Sequence, residues 1–292
     1  MLGAIVGDTV GSIYEFNNTK DYNFEMFTNQ SGYTDDSIMT MAVAYWLLKD
    51  PAHKYESLED TLVMFAKNCP CPNGGYGEMF YMWLFMPNSL KDICSNVFDK
   101  SYHPIYDSPE GRFPYYSWGN GAAMRVSAIG WFFDSLEETE RVAKISAEIT
   151  HNHPEGIKGA QATAAAIWMA RNRKNKEEIK NYIEATYKYD LERKWEELNR
   201  NYVWKSSCQE TVTEAIIAFL ESNSFEDAIR KAVSIGGDSD TLACITGGIA
   251  EAFYGYIPEE MVNATQIVFP PVFHKILDAM RTRTIYGLYN MK

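Results

Sequence analysis

Residues 236–254 read GGDSDTLACITGGIAEAFY, and their pattern decides the fold. After the acidic head, Leu242, Ile245, Ile249 and Phe253 recur at spacings of three and four, the period of one helix face. The same spacing returns in Val142, Ile145 and Ile149, and in Val212, Ala215, Ile216, Phe219 and Leu220. Residues 158–172 are rich in strong helix formers. No series of alternating apolar and polar residues competes with these signals, so the expected fold class is all-α. The chain has 292 residues, enough to bury a core without external staples. It shows no linker of Pro, Gly and Ser, no repeat and no low-complexity tract, which predicts one compact multi-helix domain over 1–292.

The opening stretch GAIVGDTVGSIYE carries Gly3, Gly7 and Gly11 at spacing four. On a helix they form a stripe without side chains, which lets a neighbouring helix approach closely. Three glycines weaken a helix, so tight packing has to offset the loss. Asp8 and Glu15, seven apart, would share a different face of the same helix.

Composition narrows the function classes. Hydrophobic residues make up 46% and charged residues 23%, as in an ordinary globular protein. The formal net charge of -12 argues against a nucleic-acid partner, whose backbone calls for clustered Lys and Arg. A small anionic ligand remains open, because bound divalent cations reverse the sign inside an acidic pocket. The five cysteines are odd in number and too sparse for a disulfide framework, so they are expected to be structural or incidental thiols. There is no signal-peptide pattern and no apolar run of about 18 residues. A cytoplasmic protein with no membrane partner is therefore expected.

Two acidic clusters carry the chemistry. Thr34-Asp35-Asp36 stands directly before the apolar run IMTMAVAYWLL, and Asp238-Ser239-Asp240-Thr241 directly before LACITGGIAEAF. Both lie where a helix begins. Either cluster alone is accounted for by capping and the helix dipole. A cap, however, uses one oxygen, and each cluster offers two carboxylates and a Thr hydroxyl. Crowded carboxylates repel unless a cation neutralises them, and a set of hard oxygens selects Mg²⁺, Mn²⁺ or Ca²⁺ over zinc. An EF-hand is excluded, since its closing Glu would fall at Ile249. Two such clusters face to face would hold two divalent cations.

These residues, together with SWGNGAAMRVSAIGW and THNHPEGIKGAQA in the same order, resemble the ADP-ribosylglycohydrolase family along nearly the whole chain. The resemblance implies an all-α domain with two divalent cations, Mg²⁺ or Mn²⁺, at the base of a cleft for ADP-ribose. It assigns Thr34, Asp35 and Asp36 to the first ligand group and Asp238, Asp240 and Thr241 to the second. Glu15 matches an acidic residue that some members place over the metals on a mobile flap, and it joins Asp35 and Asp36 as an expected catalytic group. The family usually reads TDDT; here Ser37 keeps the hydroxyl.

Further positions carry alternative readings. Ser117-Trp118-Gly119-Asn120-Gly121 is by itself a helix-entry turn, whereas the resemblance makes Gly119, Asn120 and Gly121 substrate contacts, with the helix that follows pointing its N-terminus at a phosphate. Arg125, on that helix, reads as a surface ion pair or as a contact for the anion. His151 and His153 read as capping or hydrogen-bonded residues rather than metal ligands, with His151 a substrate contact by resemblance. The 73–77 loop NGGYG lacks the Lys and Ser/Thr of a P-loop; by resemblance it lies near the scissile bond, with Tyr76 stacking on the ligand. The aperiodic stretches 16–33 and 99–119 are candidate lids.

The expected activity is hydrolysis of the bond between ADP-ribose and an acceptor, on a protein or a small molecule, with ADP-ribose as product. The rivals are an ADP-ribose-binding module without turnover, and a related metal hydrolase acting on another ribosyl or guanidino substrate.

Overall fold

The computed structural model describes residues 1–97 and 105–290. In chain order the first helices are α1 (Leu2–Gly11), α2 (Asp35–Lys49), α3 (Tyr55–Asn68), α4 (Glu78–Phe85), α5 (Pro87–Val97), α6 (Gly121–Met124), α7 (Ser127–Phe132) and α8 (Leu136–Glu148). They are followed by α9 (Pro154–Arg171), α10 (Lys176–Tyr187), α11 (Trp195–Asn201), α12 (Cys208–Leu220), α13 (Phe225–Ile235), α14 (Ser239–Tyr254), α15 (Glu259–Gln266) and α16 (Pro271–Asn290). Among the described residues the only β pairing is two isolated bridges, Thr34 with Asn73 and Gly119 with Ser207. The all-α expectation holds.

The glycine stripe explains the centre of the fold. All ten residues of α1 are buried: most are apolar or small, and its two polar side chains, Asp8 and Thr9, are hydrogen-bonded. Its glycines face α14. A Cβ on Gly3 would lie 2.4 Å from the Gly247 carbonyl oxygen, and one on Gly7 1.9 Å from that of Ala243. Gly247 returns the contact, its own Cβ position lying 2.2 Å from the Gly3 oxygen. The two backbones therefore meet directly, and α9, α12 and α13 pack around α14 to complete a continuous apolar core. Val142, Ile149, Val212, Ile216, Phe219, Leu242, Ile245 and Ile249 are all buried in it.

The helix at the start is shorter than the sequence pattern suggests. It ends at Gly11, and the Tyr14 amide bonds back to the Gly11 carbonyl at 2.8 Å, so Glu15 sits in the turn that follows. The stretch 16–33 is irregular, as expected. Asn18 fastens it, donating to the Gly237 carbonyl at 2.8 Å and accepting from the Gly237 amide at 2.7 Å. Of the other aperiodic stretch, 99–104 lie outside the described residues; 105–119 carry no helix, and their Arg112 is buried against Glu59 at 3.2 Å. All five cysteines are free thiols. Among the described residues no helix is long and apolar enough to cross a membrane.

Candidate active site

The two acidic clusters open helices as their sequence predicts, and they open them into the same cleft. Thr34 is the N-cap of α2, its hydroxyl accepting from the Asp36 amide at 3.2 Å. Capping is thus done by Thr34, leaving the carboxylates of Asp35 and Asp36 for other work. Asp238 is the N-cap residue of α14 but makes no side-chain capping bond. Its carboxylate instead accepts from the Asn120 amide at 2.7 Å. Asp36 and Thr241 join the clusters, the Thr241 hydroxyl donating to Asp36 at 3.2 Å.

The cleft has a volume of about 430 Å³, and its lining includes Glu15, Asp35, Asp36, Asp238, Asp240 and Thr241. One oxygen each of Glu15, Asp238 and Asp240 lies within 4.8 Å of the others. Three buried oxygens (Glu15 Oε2, Asp36 Oδ1 and Asp240 Oδ1) have no hydrogen-bond partner. Burying an unsatisfied carboxylate oxygen is costly, and here several converge. Burial, and then the neighbouring carboxylates, push Asp35, Asp36 and Asp240 well above the usual range. Glu15 is raised to about 7, first by burial and then by Asp238 and Asp8. Orphaned hard oxygens with elevated proton affinity are what a pair of divalent cations would satisfy, so the residues present fit such a group.

Asp8, which the sequence placed on one face with Glu15 but gave no role, buttresses the first acidic cluster. It is fully buried in α1 and accepts from the Thr34 amide at 3.0 Å, the Thr34 hydroxyl at 2.7 Å, the Ser37 amide at 3.1 Å and the Ser37 hydroxyl. It thereby grips the start of α2 and aims Asp35 and Asp36. Burial still raises its pKa to about 6. The Ser37 hydroxyl is spent on this grip. Thr34, fully buried, is not part of the cleft lining. An Asp inside a glycine-striped helix, seven residues before Glu15, was the available signal.

The loops close the cleft from two sides. Gly74 has φ +75° and packs on Glu15, a Cβ there falling 2.7 Å from Oε2; both facts call for glycine. Tyr76 lines the cleft, but its hydroxyl donates to the Cys69 carbonyl at 2.8 Å and its ring packs edge-on against Phe80. Across the cleft, Gly119 and Asn120 are held by strand-like pairing, the Asn120 amide donating to the Ser206 carbonyl at 2.8 Å. The Gly119 amide is engaged with Ser117 Oγ at 3.1 Å. The Asn120 side chain also donates to Thr211 at 3.1 Å, so it buttresses Asp238. The helix that follows, α6, is only four residues long. Phe16 (75% exposed) and Trp204 (49%) stand on the cleft lining, and neither was singled out from sequence.

The two histidines stand in different settings. His153 caps α9, accepting from the Glu155 amide at 3.0 Å. His151 is buried, lines the cleft and pairs with Thr150 at 2.7 Å. The surface ion pair expected of Arg125 is overturned: the residue is fully buried and bonds the Ser146 carbonyl instead. Arg125, the C-cap of α6, also stands on the cleft lining.

Comparison with known proteins bears on the family and the fold. The sequence profile described as ADP-ribosylglycohydrolase matches residues 1–286. The human ADP-ribosylhydrolase ARH3 is 26% identical over 322 residues, covering 89% of this chain and 86% of the human protein. The ADP-ribosylarginine hydrolase Tri1 of Pseudomonas putida (strain GB-1) is 24% identical over 289 residues, covering 90% of this chain and 72% of Tri1. A solved structure titled ADP-ribosylglycohydrolase-related protein complex superposes with a TM-score of 0.71 at 19% identity, covering 97% of this chain and 95% of its own. At that identity it speaks for the fold.

Proposed function

Since the chain belongs to the ADP-ribosylglycohydrolase family, we propose that it is a metal-dependent hydrolase cleaving the glycosidic bond between ADP-ribose and an acceptor. The observation that carries this reading is the set of orphaned carboxylate oxygens on the cleft floor, Glu15 Oε2, Asp36 Oδ1 and Asp240 Oδ1. Asp35, Asp36, Asp238 and Asp240, with the Thr241 hydroxyl, would hold two divalent cations, Mg²⁺ or Mn²⁺, while Thr34, turned to Asp8 and the α2 cap, holds the first pair in place. Bound there, such cations supply Lewis-acid charge at the ribose end of the cleft.

The chain's own residues do the rest. Asp8 and Asn120 hold the two acidic clusters in register, so the sugar is met by pre-placed groups. Glu15, with its pKa near 7, suits a general base at neutral pH. A water oxygen forms a bond to the anomeric carbon as the bond to the acceptor breaks. The electron pair of the broken bond leaves with the acceptor; Glu15 takes a proton from the water and returns it to that leaving group. Gly119, Gly121 and His151 also line the cleft, where they would receive the rest of the ADP-ribose.

A panel of defined ADP-ribosylated substrates, assayed for free ADP-ribose with and without Mg²⁺, tests the proposal. Cation-dependent release from at least one of them is expected. Calorimetric binding of ADP-ribose with no release from any substrate would make the chain a binding module instead.

A further inference from the structure

Glu15 stands in a turn beyond the end of α1 at Gly11, and its Oε2 has no hydrogen-bond partner. Its place is set through the backbone, and Asn18 supplies the hold. The Asn18 Nδ2 donates to the carbonyls of Tyr14 at 2.6 Å and Glu15 at 2.8 Å. It also donates to the Gly237 carbonyl at 2.8 Å, and the Asn18 Oδ1 accepts from the Gly237 amide at 2.7 Å. One side chain thus joins the peptide of Glu15 to the residue before Asp238, 219 positions along the chain from Asn18.

The receiving turn suits this contact. Gly236 and Gly237 both have φ +79°, which favours glycine. A Cβ on Gly236 would press on Lys20 Nζ at 3.2 Å, and one on Gly237 on the Tyr202 ring at 2.7 Å. Lys20 fastens the same stretch a second time, donating to the Ile235 carbonyl and, at 3.0 Å, to the Tyr202 carbonyl. Ser239 adds one bond, to the Tyr14 carbonyl at 3.2 Å. Finishing the end of α1 would account for the bonds to Tyr14 and Glu15; it has no use for Gly237. The second pair of bonds answers a different need. Glu15, Asp238 and Asp240 bring carboxylate oxygens within 4.8 Å of one another, and like charges so close repel. A tie between the two backbones keeps Glu15 from swinging away.

We propose that Asn18 is a positioning residue, clipping the Glu15 turn to the Gly237–Asp238 turn so that the Glu15 carboxylate stays against the second acidic cluster. Its catalytic purpose rests on Glu15 being the general base of the proposed reaction; the clip itself does not. Asn18 touches neither the sugar nor the water and acts only through Glu15.

The test is Asn18→Ala, read in two independent ways. Asn18 is exposed, so the variant should fold, as exposed substitutions seldom cost much. Hydrogen exchange of the cation-free protein, followed by mass spectrometry, should be about tenfold faster in the peptides holding residues 12–18 and Gly237, the scale of one lost hydrogen bond. Single-turnover release of ADP-ribose should fall about 10–100-fold, the cost of a misplaced reacting group. Calorimetric ADP-ribose affinity should stay within about threefold, because the loss belongs to the transition state. In a Glu15→Gln background, Asn18→Ala should remove almost nothing more, since both act through one carboxylate. Wild-type exchange in both peptides overturns the clip. Wild-type turnover of Asn18→Ala, or its full loss repeated on top of Glu15→Gln, overturns the catalytic purpose, as does an affinity loss that matches the rate loss. Faster exchange in a protein that releases ADP-ribose from no substrate takes down the reaction and leaves the clip standing.

Discussion

Gly11 and Asp240 meet backbone to backbone, so close that a Cβ on Gly11 would lie 2.5 Å from the Asp240 Cα and 2.6 Å from its amide nitrogen. The last glycine of the stripe therefore sets where a cleft carboxylate stands. Gly11→Ala should destabilise the protein by about 1–3 kcal/mol through overpacking, and it should blunt any stabilisation by divalent cations. Gly77→Ala, with open space around the new methyl, serves as the control. Urea denaturation decides the matter: equal midpoints for Gly11→Ala and wild type would contradict the contact.

The buried grip of Asp8 is the second test. Its carboxylate accepts four bonds from Thr34 and Ser37. Asn at this position turns an amide group towards some of those donors. Asp8→Asn should cost about 3 kcal/mol, since bonds to a buried charged group are each worth about 1.5–3 kcal/mol. Cation binding should weaken with it, because Asp35 and Asp36 lose their anchor. Stability within about 0.5 kcal/mol of wild type would show that α2 holds itself.

Cations should relieve the crowding on the cleft floor. With the carboxylate oxygens orphaned, the melting temperature should rise on adding Mg²⁺ or Mn²⁺ by mass action, and less so in Asp36→Asn or Asp240→Asn. Chelation should abolish release of ADP-ribose and readdition should restore it. Full turnover in protein shown by elemental analysis to be metal-free is the result that sinks the assignment.

The pH dependence of the cation-free protein follows from the raised carboxyls. Glu15 titrates near 7 in the fold against 4.5 ordinarily, and Asp8 near 6 against 3.8. Between about pH 4.5 and 7 the folded state holds protons that the unfolded chain has released, so stability falls as pH rises through that window. Carboxylates held below their usual range, such as Asp227, act in the opposite sense only at lower pH. The depressed imidazoles of His53 and His151 oppose the trend inside the window, but they are outnumbered by the raised carboxyls of Asp8, Glu15, Asp35, Asp36, Asp240 and Glu214. Cation-free melting temperature should therefore decline from about pH 5 to about pH 7. Saturating Mg²⁺ should flatten the slope, since cations displace those protons. A cation-free profile that rises across the window would refute the pKa ordering.

Glu15 separates turnover from binding. If it takes the proton from water, its contribution belongs to the transition state. Glu15→Gln should lower kcat by about 10²–10⁴-fold while calorimetric ADP-ribose affinity changes little. Asp240→Ala, by contrast, should weaken both. Single-turnover rates equal to wild type for Glu15→Gln would remove it from the reaction.

Local physics explains how much of this was legible in the chain. The 3.6-residue period around Leu242, Ile245 and Ile249, and the glycines at 3, 7 and 11, depend on neighbours in sequence, and they predicted helices and a close helix pair. Thr34 as a cap and the acidic heads of α2 and α14 were readable for the same reason. Which partner filled the glycine stripe was not readable, because α1 and α14 lie over 200 residues apart and only packing brings Gly7 onto Ala243. Nor was the work of Asp8, Asn120 and Arg125. Each binds a group far along the chain or carried by another helix, and a polar side chain's role is set by what it faces once water is excluded. Sequence determined the helices and the oxygen-rich clusters; the tertiary structure decided that these clusters share one cleft, because only packing of distant helices buries their carboxylate oxygens together without hydrogen-bond partners.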